Sequence, residues 1–179
     1  MLFRSLGKPT TVANYIDELS RHLLLKTTGD LNNEGSTTTF LGRRMTRKGG
    51  TIVCSIEAKY FETMFDLFDM SQAKPVVTPG VKTKDVLDGD DALGTDEHGY
   101  YRQLVGKLQW IVPLRPDIAF ATKELARSLT NPTVHDKNRA KHLIRYLRGT
   151  SHYSFVIRPQ MQLNDTNCTL DINVYVDSD

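Results

Sequence analysis

Tyr100-Tyr101-Arg102-Gln103-Leu104-Val105-Gly106-Lys107-Leu108-Gln109-Trp110 places Leu104, Val105 and Leu108, followed by Ile111 and Val112, at the three- and four-residue spacing of an amphipathic helix. One side of that helix is therefore expected to be buried. Arg102, Gly106 and Trp110 follow one another at four-residue steps, which stacks a cation, a gap in the side-chain wall and a flat aromatic on a second, exposed stripe. Glycine inside a helix costs about 1 kcal/mol relative to alanine, so Gly106 asks for a reason. Two are available. Another protein element packs closely there, or a nucleic-acid backbone or groove edge approaches while Trp110 lies against sugars.

Working outward, 179 residues with 39% hydrophobic and 25% charged content have the material for one good core or two small ones, which excludes a chain disordered throughout. The net charge of +2 is too small to argue for nucleic acid by itself, so the distribution of charge carries the argument. Asp85, Asp88, Asp90, Asp91, Asp96 and Glu97 crowd one segment, whereas Lys137, Arg139, Lys141, Arg145 and Arg148 crowd another. Cys54 and Cys168 have no metal-ligand spacing and suggest a reducing intracellular compartment, cytoplasmic or nuclear. No apolar run approaches the roughly twenty residues of a membrane helix, so no membrane partner is expected.

Val12, Ile16, Leu19 and Leu23 predict a first helix, capped near Thr10 and Thr11 and running to about Lys26. Thr27 to Ser36 is turn-like. Thr37 to Met45 and Thr51 to Ser55 predict two strands around an Arg47-Lys48-Gly49-Gly50 turn, with Gly42 as a bulge. Ser55 is placed to cap a helix over Ile56 to Asp69, whose Tyr60, Phe61, Phe65 and Phe68 are read as core, not as a stacking platform. Gln72 to Glu97 reads as a solvated acidic linker. Pro113 ends the central helix, Arg115-Pro116-Asp117 starts another with Asp117 complementing its dipole, and Thr133 caps a last one over Val134 to Arg148. In that last helix Ala140, Leu143, Ile144 and Leu147 form a core stripe. Lys137, Lys141, Arg145 and Arg148 form a basic ridge suited to phosphate contact. Tyr153 to Arg158 and Thr169 to Asp177 read as strands. The expected class is α+β in four segments: 1–71, a linker 72–98, a helical bundle 99–152, and strands 153–179.

Leu104-Val105-Gly106-Lys107-Leu108-Gln109-Trp110 closely resembles the thumb helix that retroviral reverse transcriptases lay along the minor groove of the template-primer duplex. With Tyr101 to Gly106, Arg115-Pro116-Asp117-Ile118 and Tyr146-Leu147-Arg148-Gly149-Thr150 at matching order and intervals, the chain resembles the polymerase of copia-type LTR retrotransposons from about Thr37 onward. The resemblance implies a piece of a retroelement Pol polyprotein, with a nucleic-acid duplex and the remainder of the polyprotein as partners, within a virus-like particle in the parent element.

It also implies a palm remnant at 1–71, a thumb at 99–152, and a connection running into ribonuclease H at 153–179. Phe40-Leu41-Gly42 falls where the family has its primer grip. The first helix would follow the family's Tyr-x-Asp-Asp hairpin, yet Met1 to Thr11 contain no aspartate. Nucleotidyl transfer by the parent enzyme's magnesium ions needs carboxylates holding two cations about 4 Å apart, so this chain alone is expected to bind no cofactor and to be inactive. Asp177 takes the position of a ribonuclease H metal ligand, without partners. The expected function is a template-primer-gripping reverse transcriptase fragment contacting nucleic acid through Phe40, Leu41, Gly42, Arg102, Gly106, Trp110, Lys137, Lys141, Arg145 and Arg148. Alternatives are one piece of a split active polymerase, or a non-enzymatic helical module whose acidic loop and basic ridge dock proteins.

Overall fold

A computed structural model describes residues 9–25, 29–81 and 91–158. The expected strand at Thr169 to Asp177, Asp177 itself and most of the acidic cluster lie outside the described residues.

The fold is α+β. Helix α1, Pro9–Ser20, leaves Val12, Ile16 and Leu19 half-buried, and Leu23 beyond its end is exposed. Three strands follow where two were expected: β1 Thr37–Phe40, β2 Arg43–Lys48 and β3 Thr51–Ile56. The expected bulge at Gly42 is instead half of a two-residue turn, with Leu41 at φ 51° and Gly42 at φ 71°. Gly49 and Gly50, at φ 57° and 72°, make the second turn in the same way. Positive φ at both central residues matches the right-handed twist of the flanking strands, which is why such turns close tight hairpins. Leu41 disguised the first turn, because a branched side chain in the left-handed region costs about 1–2 kcal/mol and is seldom chosen there.

Strand β4, Phe155–Ile157, pairs antiparallel with β3, giving an antiparallel sheet in the order β1-β2-β3-β4. Met45, Cys54 and Phe155 share a register position across it. Among the described residues the partner of this strand is β3, about a hundred residues earlier in the chain.

Helix α2, Ala58–Leu67, buries Phe61, Met64 and Phe65. Ser55 lies in β3 and does not cap α2, whose N-cap is Glu57 without a side-chain bond. Helix α3, Thr95–Ile111, starts five residues before the expected Tyr100 and tightens into a 3-10 turn at Val112–Leu114. A second such turn, Pro116–Ile118, leads into α4, Ala119–Arg127, and α5 runs Val134–Thr150. Thr133 caps α5 as its sequence position suggests, and Asp136 completes a reciprocal capping box. Leu104, Val105, Leu108, Ile111, Ile118, Leu125, Leu143, Ile144 and Leu147 are all nearly or fully buried. Ile56, Phe61, Met64, Phe65 and Met70 join them in one cluster, so the elements on both sides of residues 72–81 share a core.

The stretch expected to be a free linker is held at both ends. Arg148 donates to the Ala73 carbonyl, Arg145 Nε to the Lys74 carbonyl at 2.7 Å, and His142 Nε2 lies 2.9 Å from the Thr78 carbonyl. A Cβ on Gly149 would come within 3.0 Å of Pro75 Cβ, so the strap's close approach accounts for glycine in the last turn of α5. At the far end Ala92 bridges Thr133, and Leu93 N–H donates to the Pro132 carbonyl at 2.9 Å.

Candidate nucleic-acid interface

Helix α3 presents the stripe of interest where its buried face ends. Gly106 is exposed, and a Cβ built on it would meet nothing within 4 Å among the described residues. No described protein element explains this glycine by packing. Gly99, seven residues earlier, is equally open and lines a shallow groove with Thr95, Asp96, Tyr100 and Gln103. Gly99 was missed in the sequence, although a heptad-spaced glycine pair on one helix is a visible signal. Arg102 is exposed at the end of this stripe, its Nε 3.3 Å from the Leu129 carbonyl.

Trp110 is half-buried against the hairpin. Its indole stacks on Tyr60 of α2 at 4.6 Å between centroids and 28° between planes. The Arg43 guanidinium lies 5.0 Å from the indole centroid while its Nη2 donates to the Trp110 carbonyl at 2.9 Å. The turn at Gly42 rests on the indole edge, with a Cβ there standing 3.5 Å from Cζ2. Tyr60 donates its hydroxyl to the Lys107 carbonyl at 3.1 Å, and Lys107 Nζ sits 5.3 Å from the Tyr60 ring centroid. Burial raises the Tyr60 phenol above its ordinary pKa. The hairpin tip carrying Leu41 and Gly42 and the helix carrying Gly106 are thus brought together, while Phe40 is half-buried in β1. Sequence reasoning did not single out Arg43, and it read Tyr60 only as core.

The basic ridge is differently arranged from a row of free cations. Lys137 pairs with Glu97 of α3, and Arg145 and Arg148 hold the strap through its carbonyls. Lys141 is exposed. It lines a cleft of about 400 Å³ between α5 and the strap with His135, Asn138, Arg139, His142 and Arg145. Arg139 is 3.5 Å from the capping Asp136.

The Arg115-Pro116-Asp117 and Tyr146-to-Thr150 blocks meet in a buried clasp that the sequence reading missed. Arg115, 2% exposed, donates two bonds to the Asp117 carboxylate at 2.9 and 2.7 Å and two to Thr150, at 2.8 Å to the carbonyl and 2.7 Å to Oγ1. Tyr146 donates to the same carboxylate at 2.8 Å. Asp117 therefore does more than complement a helix dipole. Burial pushes its carboxyl pKa up, but the hydrogen bonds from Arg115 and Tyr146 and the charge of Arg115 outweigh that and leave it below the ordinary value. A carboxyl depressed in the folded state stabilises the fold above its unfolded pKa, and that contribution fades as pH falls through the folded value. Thermal midpoints of the natural chain and of Asp117→Asn should accordingly differ most at neutral pH and converge on acidification. A gap that is constant with pH would remove the carboxylate from the account.

Among the described residues no three His, Cys, Asp or Glu side chains gather as a metal-binding group, and no helix is long and apolar enough to cross a membrane.

Over 171 residues, 96% of its length, the chain is 28% identical to the retrovirus-related Pol polyprotein from transposon RE1 of Arabidopsis thaliana, of which it covers 11%. Over 155 residues it is 30% identical to the corresponding polyprotein from transposon TNT 1-94 of Nicotiana tabacum, covering 76% of this chain and 12% of that one. Its relatives are copia-type Pol polyproteins. An uncharacterized mitochondrial protein of Arabidopsis thaliana is also similar, 26% identical over 162 residues, which is 87% of this chain and 60% of that protein. The chain thus spans about a tenth of the length of the Pol polyproteins it matches. No protein-family model matches it, and neither does any solved structure.

Proposed function

We propose that this Pol-related chain is a duplex-gripping part of a reverse transcriptase, a thumb with its primer-grip hairpin, and that its part is to hold template-primer. The observation that carries this reading is the seating of the Leu41–Gly42 turn on Trp110, beside an open helix face and next to Arg43, which bonds the Trp110 carbonyl 67 residues away in sequence. In this reading the gap at Gly106 admits a groove edge next to Arg102. Lys141 and the basic cleft on α5 meet phosphates, and Leu41, exposed and held in a costly backbone conformation, touches the primer strand. Such contacts position a duplex and confer little sequence choice.

The test is anisotropy of a labelled RNA-DNA hybrid across a series of salt concentrations. Affinity should fall linearly on a log-log plot, and Lys141→Glu should reduce the slope by about 1 or more. Gly106→Ala should raise stability by about 1 kcal/mol, since nothing obstructs the added carbon and helical glycine is unfavourable. Gly106→Leu should fold equally well yet overfill the groove contact, an effect of about 1–3 kcal/mol or roughly five- to a hundredfold in affinity. A flat salt plot, or wild-type affinity in Gly106→Leu, overturns the reading.

A further inference from the structure

We propose that Arg43, Tyr60 and Lys107 are positioning residues which clamp Trp110, and that Trp110 serves to lock the hairpin turn onto α3 and does not itself lie against the duplex. The inference deepens the duplex-gripping reading and rests on it for its functional half.

Four side chains from three elements form one pile: Arg43 of β2, Trp110 of α3, Tyr60 of α2 and Lys107 of α3. Each layer is attractive in its own right, because a cation over an aromatic face and an offset aromatic pair both exploit the ring quadrupole. Two hydrogen bonds fix the layers to the α3 backbone rather than to other side chains, Arg43 to the Trp110 carbonyl and Tyr60 to the Lys107 carbonyl. Backbone anchoring makes the pile indifferent to rotamer changes elsewhere on the helix. With a guanidinium and a phenol ring both over the indole and a turn at its edge, Trp110 is engaged within the protein. The same contacts decide where Leu41 stands, since it precedes Gly42 in the turn resting on that indole. Leu41 is 53% exposed and left-handed, a conformation that persists only where surrounding contacts enforce it.

Trp110 is the chain's single tryptophan, so its emission reports on the pile without labelling. Tyr60→Leu and Arg43→Ala should each shift Trp110 emission to the red and increase its quenching by acrylamide, whereas Tyr60→Phe, which keeps the ring, should retain most of the natural spectrum. Hybrid affinity should fall about three- to tenfold in Tyr60→Leu with the salt slope unchanged, because no phosphate contact is lost. Arg43→Lys should fail to restore either the spectrum or the affinity, since a point charge does not reproduce a planar guanidinium bonded to a carbonyl. Spectra that do not respond in either variant, with circular dichroism showing both folded, would dissolve the clamp. A salt slope that drops in Arg43→Ala and is rescued by Arg43→Lys would make Arg43 a phosphate contact instead. If the natural chain binds no hybrid at any salt concentration, the duplex reading fails, while the fluorescence series still decides whether the clamp exists.

Discussion

Leu143→Ala lowers the unfolding free energy by about 2 to 5 kcal/mol, measured by urea denaturation with circular dichroism as the readout. Leu143 is 0% exposed and sits in the same cluster as Leu104, Leu108 and Met64, so its removal leaves a cavity lined from several elements at once. The size of the loss depends on how far those neighbours collapse into the space. Neighbours that are themselves buried and belong to α2 and α3 as well as α5 have little room to move together, which places the expected value in the upper half of the range. The thermal midpoint should drop by roughly 2–4 °C for each kcal/mol lost. A loss below about 1 kcal/mol, the level of an ordinary surface change, would mean that α5 is not packed as described. A partial early transition confined to one probe would mean that the sheet and the helices unfold separately.

Asp117→Ala costs about 3 kcal/mol, because it strands Arg115 as a buried guanidinium facing an empty site. The figure sits at the low end for a broken buried pair for two reasons. Thr150 still accepts two bonds from Arg115, and the Asp117 side chain is 34% exposed, so water relieves part of the loss. The double variant Arg115→Met with Asp117→Ala should be more stable than the sum of the single changes implies, since the uncompensated charge has gone. Strict additivity in that cycle would show that the two side chains act independently. The clasp also explains why the Arg-Pro-Asp and Tyr-Leu-Arg-Gly-Thr blocks stand at their interval: it ties the start of one helix to the end of another.

How much of this was legible in the sequence differs between elements for physical reasons. The helical core was readable because Leu104, Val105, Leu108 and Leu143, Ile144, Leu147 repeat at the period of the helix itself, and local pattern and burial agree. The first hairpin was not, because leucine at the first position of its turn gives no signal of the left-handed backbone it adopts. The bonds of Arg145 and Arg148 were hidden for another reason. Their partners are backbone carbonyls of Lys74 and Ala73, which leave no imprint on residue identity, so a strap anchor and a solvated cationic row look alike in one dimension. At the candidate interface the open stripe through Gly106 was visible. Tyr60 and Arg43 beside Trp110 were not, since nothing local in strand β2 or helix α2 points at a particular residue of a distant helix.

The pairing of Phe155–Ile157 with Ile52–Cys54 bears on how the protein is made. During synthesis the first three strands leave the ribosome about a hundred residues before the fourth, and until it arrives β3 has an open edge of unpaired amides and carbonyls next to Ile52 and Val53. Closing a loop of that length is entropically slow, so a nascent chain carries a sticky, half-built sheet while about a hundred further residues are added. Crowded polysomes, where many such edges coexist, are where this chain is most exposed to misassembly between neighbouring copies.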